Sequence, residues 1–193
     1  MAKVVLGIPT TGSIETKTFE ALFKIDRKDH KIFPLVTEHS LVYMARDSIV
    51  NKMLENPEAE YIWFVDSDII VEKNTLNKLV DDGKDIVTGC YPYKSETGSV
   101  VGVNTEYKTI TMYDLMQEPD HLVKIGRAGM GCCLIKRQVL EAVIKEFGTC
   151  FTPMGELGED YSFCERAKSC GYDVFIDRDV ITMHVGKKVY EVK

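Results

Sequence analysis

The chain has 193 residues, a length that fits one domain better than two. Hydrophobic residues make up 45% and charged residues 28%, an ordinary composition for a globular protein. With 24 Lys and Arg against 30 Asp and Glu, the formal net charge is −6. This balance argues against a large nucleic-acid footprint, which needs clustered lysine and arginine, but leaves room for a local basic pocket that holds a small phosphorylated ligand.

Cysteine usage and hydropathy predict a soluble, reduced protein. The six cysteines form no CxxC pair, and the N-terminus does not resemble a signal peptide. We therefore expect buried, reduced thiols and a cytoplasmic location. No apolar run approaches the ~20 residues that a membrane span needs, so we expect no transmembrane segment.

The first third of the chain alternates predicted strands and helices. "KVVLGIP" indicates a buried strand that ends near Pro9, and "TTGSIETKTFEALFK" indicates an amphipathic helix with Phe19, Leu22 and Phe23 on one face. "KIFPLV" is a second candidate strand, although Pro34 weakens that prediction.

The next segments continue the alternation. "HSLVYMARDSIVNKMLENP" predicts a helix capped by Ser40, with apolar residues at helical spacing and an end before Pro57. "YIWFV" is typical of a strand that is buried on both faces of a parallel sheet. Asn74 is placed to cap the helix "TLNKLVDD", and Gly83 is placed to end it. "DIVTG" is the next predicted strand.

The second half is less regular. "SVVGV", "KTITMYDL", "HLVKIG" and "GCCLI" indicate short strands, and "YDVFID" a final one before "MHVG" in the tail. "RQVLEAVIKEF" and "YSFCERAKSCG" indicate helices, the second closed by Gly171. The alternation of strands and helices predicts a single α/β domain with a mainly parallel sheet.

Two carboxylates interrupt the apolar run "YIWFVDSDIIV". In extended backbone, Asp66 and Asp68 point the same way, at the strand end where open α/β sheets bind ligands. Paired carboxylates are costly unless a cation neutralises them, and Mg²⁺ or Mn²⁺ prefers such oxygens. The alternative is a plain turn in which Ser67 and Asp68 bond nearby backbone amides.

Several motifs together resemble a known family. "FVDSD" resembles the DxD motif of GT-A-fold glycosyltransferases of the family 2-like group. "GIPTTG", "SLVYMARDSIV", "CYPYK", "GRAGMGCCLIKR", "GEDYSFCERAKSCGYDVFID" and "MHVG" follow an order seen in compact bacterial and phage members. The resemblance implies a GT-A-like, Rossmann-like fold with a mixed, mainly parallel sheet flanked by helices in one domain, 1–193. Residues 1–90 would bind the nucleotide, and residues 91–193 would supply the acceptor and catalytic half.

The resemblance also implies residue roles. Asp66 and Asp68 would bind a metal, Mn²⁺ or Mg²⁺, with His184 completing the coordination, and an imidazole ligand suits Mn²⁺ better. Asp160 would be the catalytic base, with Glu159 orienting it or binding acceptor hydroxyls. Acidic residues before a helix are also favoured caps, so capping is the alternative role for this pair. The implied nucleotide-sugar-binding residues are Pro9, Thr10, Thr11, Arg46, Asp66, Ser67, Lys94 and Gly131.

Some features depart from the pattern or stay open. Asp47 stands where the family has Asn, so its role is undefined. The glycine-rich "GRAGMGCC" would let backbone approach a sugar, or form a plain turn. In "CYPYK", the tyrosines would stack on a sugar or serve only for packing.

The expected function is metal-dependent transfer of a sugar, with inversion, from a nucleotide-diphosphate sugar to an acceptor hydroxyl. A UDP-sugar is the expected donor, and the acceptor is a glycan, a lipid-linked glycan, a protein or a modified nucleotide. Two alternatives remain: a phosphohydrolase of the haloacid dehalogenase type, which also carries DxD, and a non-catalytic nucleotide-sugar binder.

Overall fold

The computed structural model describes residues 1–94 and 99–186, and the backbone of 189–190. Its strands are β1 (Lys3–Thr10), β2 (Lys31–Glu38), β3 (Tyr61–Val65), β4 (Ile69–Ile70), β5 (Ile86–Cys90), β6 (Ser99–Val103), β7 (Thr109–Thr111), β8 (Leu122–Ile125), β9 (Arg127–Ala128), β10 (Cys132–Lys136), β11 (Val174–Ile181), β12 (Met183–Val185) and β13 (Val189–Tyr190). Its helices are α1 (Thr16–Phe23), α2 (Val42–Glu55), α3 (Thr75–Asp81), α4 (Met112–Gln117), α5 (Arg137–Phe147) and α6 (Glu159–Ser169).

A seven-stranded sheet runs in the order β2-β1-β3-β10-β5-β11-β8. β2, β1 and β3 are parallel, as are β5 and β11, whereas β10 runs antiparallel to both of its neighbours and β8 antiparallel to β11. The predicted mixed, mainly parallel sheet in a single α/β domain is therefore confirmed. β10 comes from the second half of the chain but lies between β3 and β5 of the first half.

Side-chain alternation divides the core into two layers. On one face, Ile62 and Phe64 of β3 pack with apolar residues of α2, α5 and α6. On the other face, Trp63 and Val65 pack with Leu76 and Leu79 of α3. β3 is thus covered on both sides, which explains its uninterrupted apolar sequence. Pro34 is tolerated because β2 is an edge strand.

Phe19 and Phe23 lie on the same side of α1, but they are not packed against the domain. Phe19 is 58% exposed and Phe23 is 79% exposed. Their rings stack on each other with centroids 6.3 Å apart. α1 packs against the domain through Thr18, Ala21 and Leu22 instead, because one short helix cannot turn all of its apolar residues inward.

Other element boundaries differ from the predictions. "KTITMYDL" is not one strand: after β7, Thr111 caps α4 in a capping box with Asp114, so the polar pair stops the strand and starts the helix. Ser40 lies one residue before the N-cap of α2, which is Leu41. Asn74 is the N-cap of α3 but makes no side-chain cap bond, and Gly83 takes the left-handed conformation after that helix, at φ +66°.

The cysteines are free thiols, and all but the half-buried Cys170 are buried. No helix within the described ranges is both long enough and apolar enough to cross a membrane.

Candidate active site

The DxD loop directly follows β3. The Asp66 backbone N–H donates to the Gly131 carbonyl at 3.0 Å, so β10 and its preceding loop hold the first aspartate. The Ser67 carbonyl accepts from the Glu15 N–H at 2.8 Å, which ties the loop to the segment after β1. Because β1 and β3 are parallel neighbours, both end at the same sheet edge, as the ligand-binding prediction requires.

Arg46 of α2 lies at the centre of the site and is 1% exposed. Its Nη2 is 2.9 Å from Asp66 Oδ1, and its Nε is 3.5 Å from Asp160 Oδ1 and 3.8 Å from Glu159 Oε1. The guanidinium packs over the Phe64 ring, 5.3 Å from its centroid. One buried cation thus brings together three predicted site carboxylates from two distant parts of the chain.

The site's charge balance changes how these acids ionise. Burial, with smaller contributions from the Glu159 and Asp66 charges, outweighs the opposing effect of Arg46 and raises the pKa of Asp160 to about 7. Burial also raises the pKa of Asp66, although Arg46 pulls it down. Asp160 Oδ1 and Arg46 Nη1 are buried and make no hydrogen bond in the described part of the chain, and Asp160 Oδ1 has the Arg46 guanidinium as its charged neighbour.

Asp160 is held rigidly at the start of α6. The N-cap of this helix is Gly158, so Glu159 and Asp160 occupy its first turn and not the cap position itself. Asp160 Oδ2 accepts a hydrogen bond from the Met130 N–H at 3.1 Å. One carboxylate oxygen is therefore fixed by backbone, while the other faces Arg46.

Asp68 faces side chains instead of turn amides. Its Oδ2 contacts Lys94 Nζ and lies 3.4 Å from His184 Nε2. β12 places the histidine there by pairing His184 with Ile69 of β4. Burial acts to raise the pKa of Asp68, but hydrogen bonds and charges from His184 and Lys94 outweigh it and lower the pKa to about 2.

The histidine geometry fits a cation. His184 Nδ1 lies 3.0 Å from the Pro92 carbonyl, which can only accept, so Nδ1 carries a proton and Nε2 is the ring nitrogen left to bind a cation beside Asp68. A carboxylate and an imidazole suit Mn²⁺, and the Lys94 ammonium already contacts that carboxylate as a cation. No group of three His, Cys, Asp or Glu side chains arranged for a metal occurs among the described residues, and Asp66 is paired with Arg46.

The remaining predicted nucleotide-binding residues lie along the same edge. Thr10, the last residue of β1, donates its hydroxyl to the Ser13 carbonyl at 2.7 Å and accepts from the Gly12 N–H at 3.1 Å, so it shapes the turn there. Pro9 is buried, whereas Thr11 is exposed beyond the strand. The binding roles of these residues remain predictions.

Tyr91, the first tyrosine of "CYPYK", is packed inside the site. It is 4% exposed, its hydroxyl accepts from the Gly131 N–H at 3.1 Å, and its ring meets His184 edge-on at 6.0 Å between centroids. A Cβ at Gly129 would lie 1.7 Å from the Tyr91 hydroxyl oxygen, and one at Gly131 would lie 3.2 Å from Asp66 Oδ2. The glycines of "GMG" are therefore required by a buried phenol and a close carboxylate.

We expect Gly129→Ala to lower the free energy of unfolding by about 3 kcal/mol, because the methyl group overlaps the Tyr91 hydroxyl. Tyr91→Phe removes the hydroxyl, so the double variant should lose less than the sum of the two single changes. Urea unfolding of all four proteins measures this coupling. Additive losses would show that Tyr91 does not dictate the glycine.

Asp47 anchors the loop before α6. Its Oδ1 accepts from the Cys150 and Phe151 N–H groups, both at 3.0 Å, and its Oδ2 accepts from the Thr149 hydroxyl at 2.7 Å. The Phe151 ring lies 5.4 Å from the Phe64 ring, which also packs against Arg46. The described bonds of Asp47 thus give it a structural role next to the site, which the sequence left undefined.

We expect Asp47→Ala to lower the free energy of unfolding by about 3 kcal/mol, because two backbone donors lose their acceptor. Asp47→Asn should cost about 1 kcal/mol, since its amide oxygen still accepts both bonds. Urea unfolding measures both variants, and Lys52→Ala, an exposed change on the same helix, is the control. Equal losses for Ala and Asn would contradict this role.

Comparison with known proteins now adds to this geometry. Residues 19–84, less than half of the chain, match the model of the galactosyl transferase GMA12/MNN10 family. The solved structure of A197 from STIV superposes with a TM-score of 0.69 and 19% identity, over 100% of this chain and 95% of that one. The structure of GalNAc-T7 with UDP, GalNAc and Mn²⁺ superposes with a TM-score of 0.62 and 12% identity, over 100% of this chain and 44% of that one.

The chain has the GT-A fold. This GT-A chain spans less than half of the GalNAc-T7 structure. No curated protein sequence matches it.

Proposed function

We propose that this GT-A protein is a metal-dependent glycosyltransferase that moves a sugar from a UDP-sugar to an acceptor hydroxyl with inversion. The observation that carries the proposal is the shared position of Asp66 and Asp160 around Arg46. Arg46 thereby connects the DxD loop, where a nucleotide diphosphate would bind, with Asp160, whose pKa is raised to about 7. The partial family match and the GalNAc-T7 structure with UDP and Mn²⁺ support the same class of reaction.

Asp160 is the proposed base. Its Oδ2 is fixed by the Met130 N–H, and its Oδ1 has no hydrogen-bond partner among the described residues. An acceptor hydroxyl at this oxygen would lose its proton as it attacks the anomeric carbon. A pKa near 7 suits a base, because the group is then ionised at neutral pH and still basic enough to take a proton. Arg46 orients the carboxylates and offsets their charge.

Asp68 and His184 are the proposed holders of Mn²⁺. When bound, the metal would act as a Lewis acid on the diphosphate leaving group, so no separate general acid is needed. Asp68 is ionised at neutral pH because its pKa is lowered to about 2, and His184 presents Nε2 beside it. As the donor binds, the Lys94 ammonium would exchange its contact with the Asp68 carboxylate for a contact with a phosphate oxygen. Asp66, engaged by Arg46, would bind the ribose or metal-bound water.

Two other functions remain for comparison. A haloacid-dehalogenase phosphohydrolase would use Asp66 as a nucleophile, but this carboxylate is held by Arg46 and lies in a GT-A fold. A non-catalytic nucleotide-sugar binder would keep the DxD loop without needing an acid like Asp160, whose pKa is tuned to neutrality.

A donor-hydrolysis assay tests the proposal. Incubation with UDP-glucose, UDP-galactose, UDP-GlcNAc and UDP-GalNAc in Mn²⁺ should release UDP from at least one donor, and EDTA should stop the release. Hydrolysis of p-nitrophenyl phosphate with no UDP release would favour the phosphohydrolase. UDP binding without any turnover would favour the binder.

A further inference from the structure

Tyr93 and Tyr161 stand at the mouth of the site. Their hydroxyl oxygens lie 3.2 Å apart, which links the loop after β5 to the first turn of α6. Tyr93 is 38% exposed and Tyr161 is half-buried. In this pair one hydroxyl donates its proton and the other accepts it. The accepting hydroxyl therefore keeps its own proton, and both oxygens keep lone pairs, for a hydrogen bond to a ligand.

The pair spans the two functional sides of the site. Tyr93 lies between Pro92, whose carbonyl holds His184, and Lys94, which contacts Asp68. Tyr161 directly follows Asp160, the proposed base. A molecule that rests against both rings is therefore next to the proposed base on one side and the proposed metal residues on the other.

Further aromatic and polar groups extend this surface along α6. The Arg127 guanidinium lies over the Tyr107 ring, 4.3 Å from its centroid. It is 5.7 Å from the centroid of the Tyr161 ring. Arg127 Nε and Lys168 Nζ both lie 2.7 Å from Glu165 Oε1, and Lys168 also donates to the Tyr107 hydroxyl at 3.0 Å. Tyr107 itself is 50% exposed.

The charges on this surface are largely satisfied within it. Glu165 engages both Arg127 and Lys168, and these bonds and charges lower the pKa of Glu165 although burial acts to raise it. A nucleic-acid backbone needs clustered lysine and arginine, whereas Arg127 and Lys168 share one carboxylate and the chain carries a net charge of −6. The partly exposed Tyr93 and Tyr161, with their paired hydroxyls, instead match a sugar, whose C–H groups pack against an aromatic ring and whose hydroxyls bond at its edge.

We propose that Tyr93 and Tyr161 form the acceptor subsite, that Tyr107 and Arg127 extend it, and that the acceptor is a carbohydrate. The inference rests on the proposed function and narrows its acceptor to a hexopyranose presented to Asp160. A lipid-linked or protein-linked glycan is accommodated through its terminal sugar, whereas a nucleotide of DNA is not.

Saturation-transfer NMR tests the subsite without any donor. The probes are methyl β-D-glucopyranoside, methyl β-D-galactopyranoside and methyl α-D-mannopyranoside, with a single-stranded oligothymidylate as the competing class. At least one pyranoside should receive saturation, and Tyr93→Ala or Tyr161→Ala should reduce the effect about fivefold or more. Tyr113→Ala, which removes a 73% exposed tyrosine on α4, should leave it unchanged.

The outcomes separate the subsite from the wider function. Thermal melting checks that each variant folds. If Tyr161→Ala does not fold, Tyr93→Ala, a change at an exposed loop position, still tests the subsite. No saturation of any pyranoside, or saturation that survives both substitutions, overturns the subsite. Binding of the oligothymidylate that is lost in Tyr93→Ala assigns the surface to nucleic acid and also overturns it. UDP titrated into the same samples reports on the proposed function independently.

Discussion

Replacing Asp160 by Asn should lower sugar transfer by about a thousandfold while UDP binding is kept, because a general base contributes about 10²–10⁴-fold. The amide keeps the shape of the side chain and can still accept from the Met130 N–H, but it cannot take a proton. Transfer is measured as product formed from the donor found active, and UDP binding by calorimetry. Glu156→Gln, an exposed change shortly before α6, is the control. Loss of UDP binding in Asp160→Asn would contradict the assigned role.

The same substitution should remove a limb of the pH profile. Since the pKa of Asp160 is raised to about 7, kcat/KM of the wild-type protein should rise with pH until it levels off above that value. The residual activity of Asp160→Asn should lack this rise. An unchanged profile would show that another group sets the dependence.

Stability should respond in the opposite direction to activity. A carboxyl whose pKa is raised on folding binds its proton more tightly in the native state, so stability falls as pH rises from the unfolded value of about 4 to about 7. Asp160→Asn has no such proton to lose. Its stability relative to the wild type, measured by urea unfolding, should therefore increase between pH 4 and pH 8.

The second large effect is expected at the DxD loop. Asp68→Ala should abolish Mn²⁺-dependent release of UDP, with a loss of about a thousandfold or more, because Lewis-acid assistance supplies several kcal/mol. The variant also frees Lys94 and leaves His184 Nε2 without its carboxylate. Initial rates at increasing Mn²⁺ concentration measure the effect.

Matched variants keep this test specific. Asp81→Ala removes an exposed carboxylate that pairs only with Lys28 in the described contacts, and it should behave as wild type. His184→Gln should weaken the Mn²⁺ dependence about 10–100-fold, as expected for a residue that holds or orients a metal. Full Mn²⁺-stimulated activity in Asp68→Ala would remove Asp68 from the proposed metal site.

Local sequence patterns predicted much of the framework. The apolar run of β3 followed by Asp66 and Asp68 identified a strand end and a polar rim, because burial on both faces requires an uninterrupted apolar segment. The family resemblance named Arg46 and Asp160, and the structure brings them together across 114 positions of the chain, from 46 to 160. Their contact depends on how α2 and α6 pack, which no local pattern encodes.

The errors share the same cause. The insertion of β10 between β3 and β5 places Gly131 against Asp66. The apolar sequence of a strand indicates neither its direction nor its position in the sheet, so this contact could not be predicted. Helical periodicity predicted that Phe19 and Phe23 lie on one face, but whether a helix face meets the core is decided by the neighbouring elements. The contact of Tyr91 with Gly129 and Gly131 could not be predicted, because only the folded structure shows why these positions need glycine.

Anomalous diffraction at the manganese edge, from crystals soaked with UDP and Mn²⁺, tests the central claim most directly. We expect one strong peak bound by the Asp68 carboxylate and His184 Nε2, with the UDP diphosphate on its other side and Lys94 moved from Asp68 to a phosphate oxygen. A peak elsewhere, or UDP bound at the DxD loop with no metal between it and Asp68, would contradict metal-assisted transfer at this site.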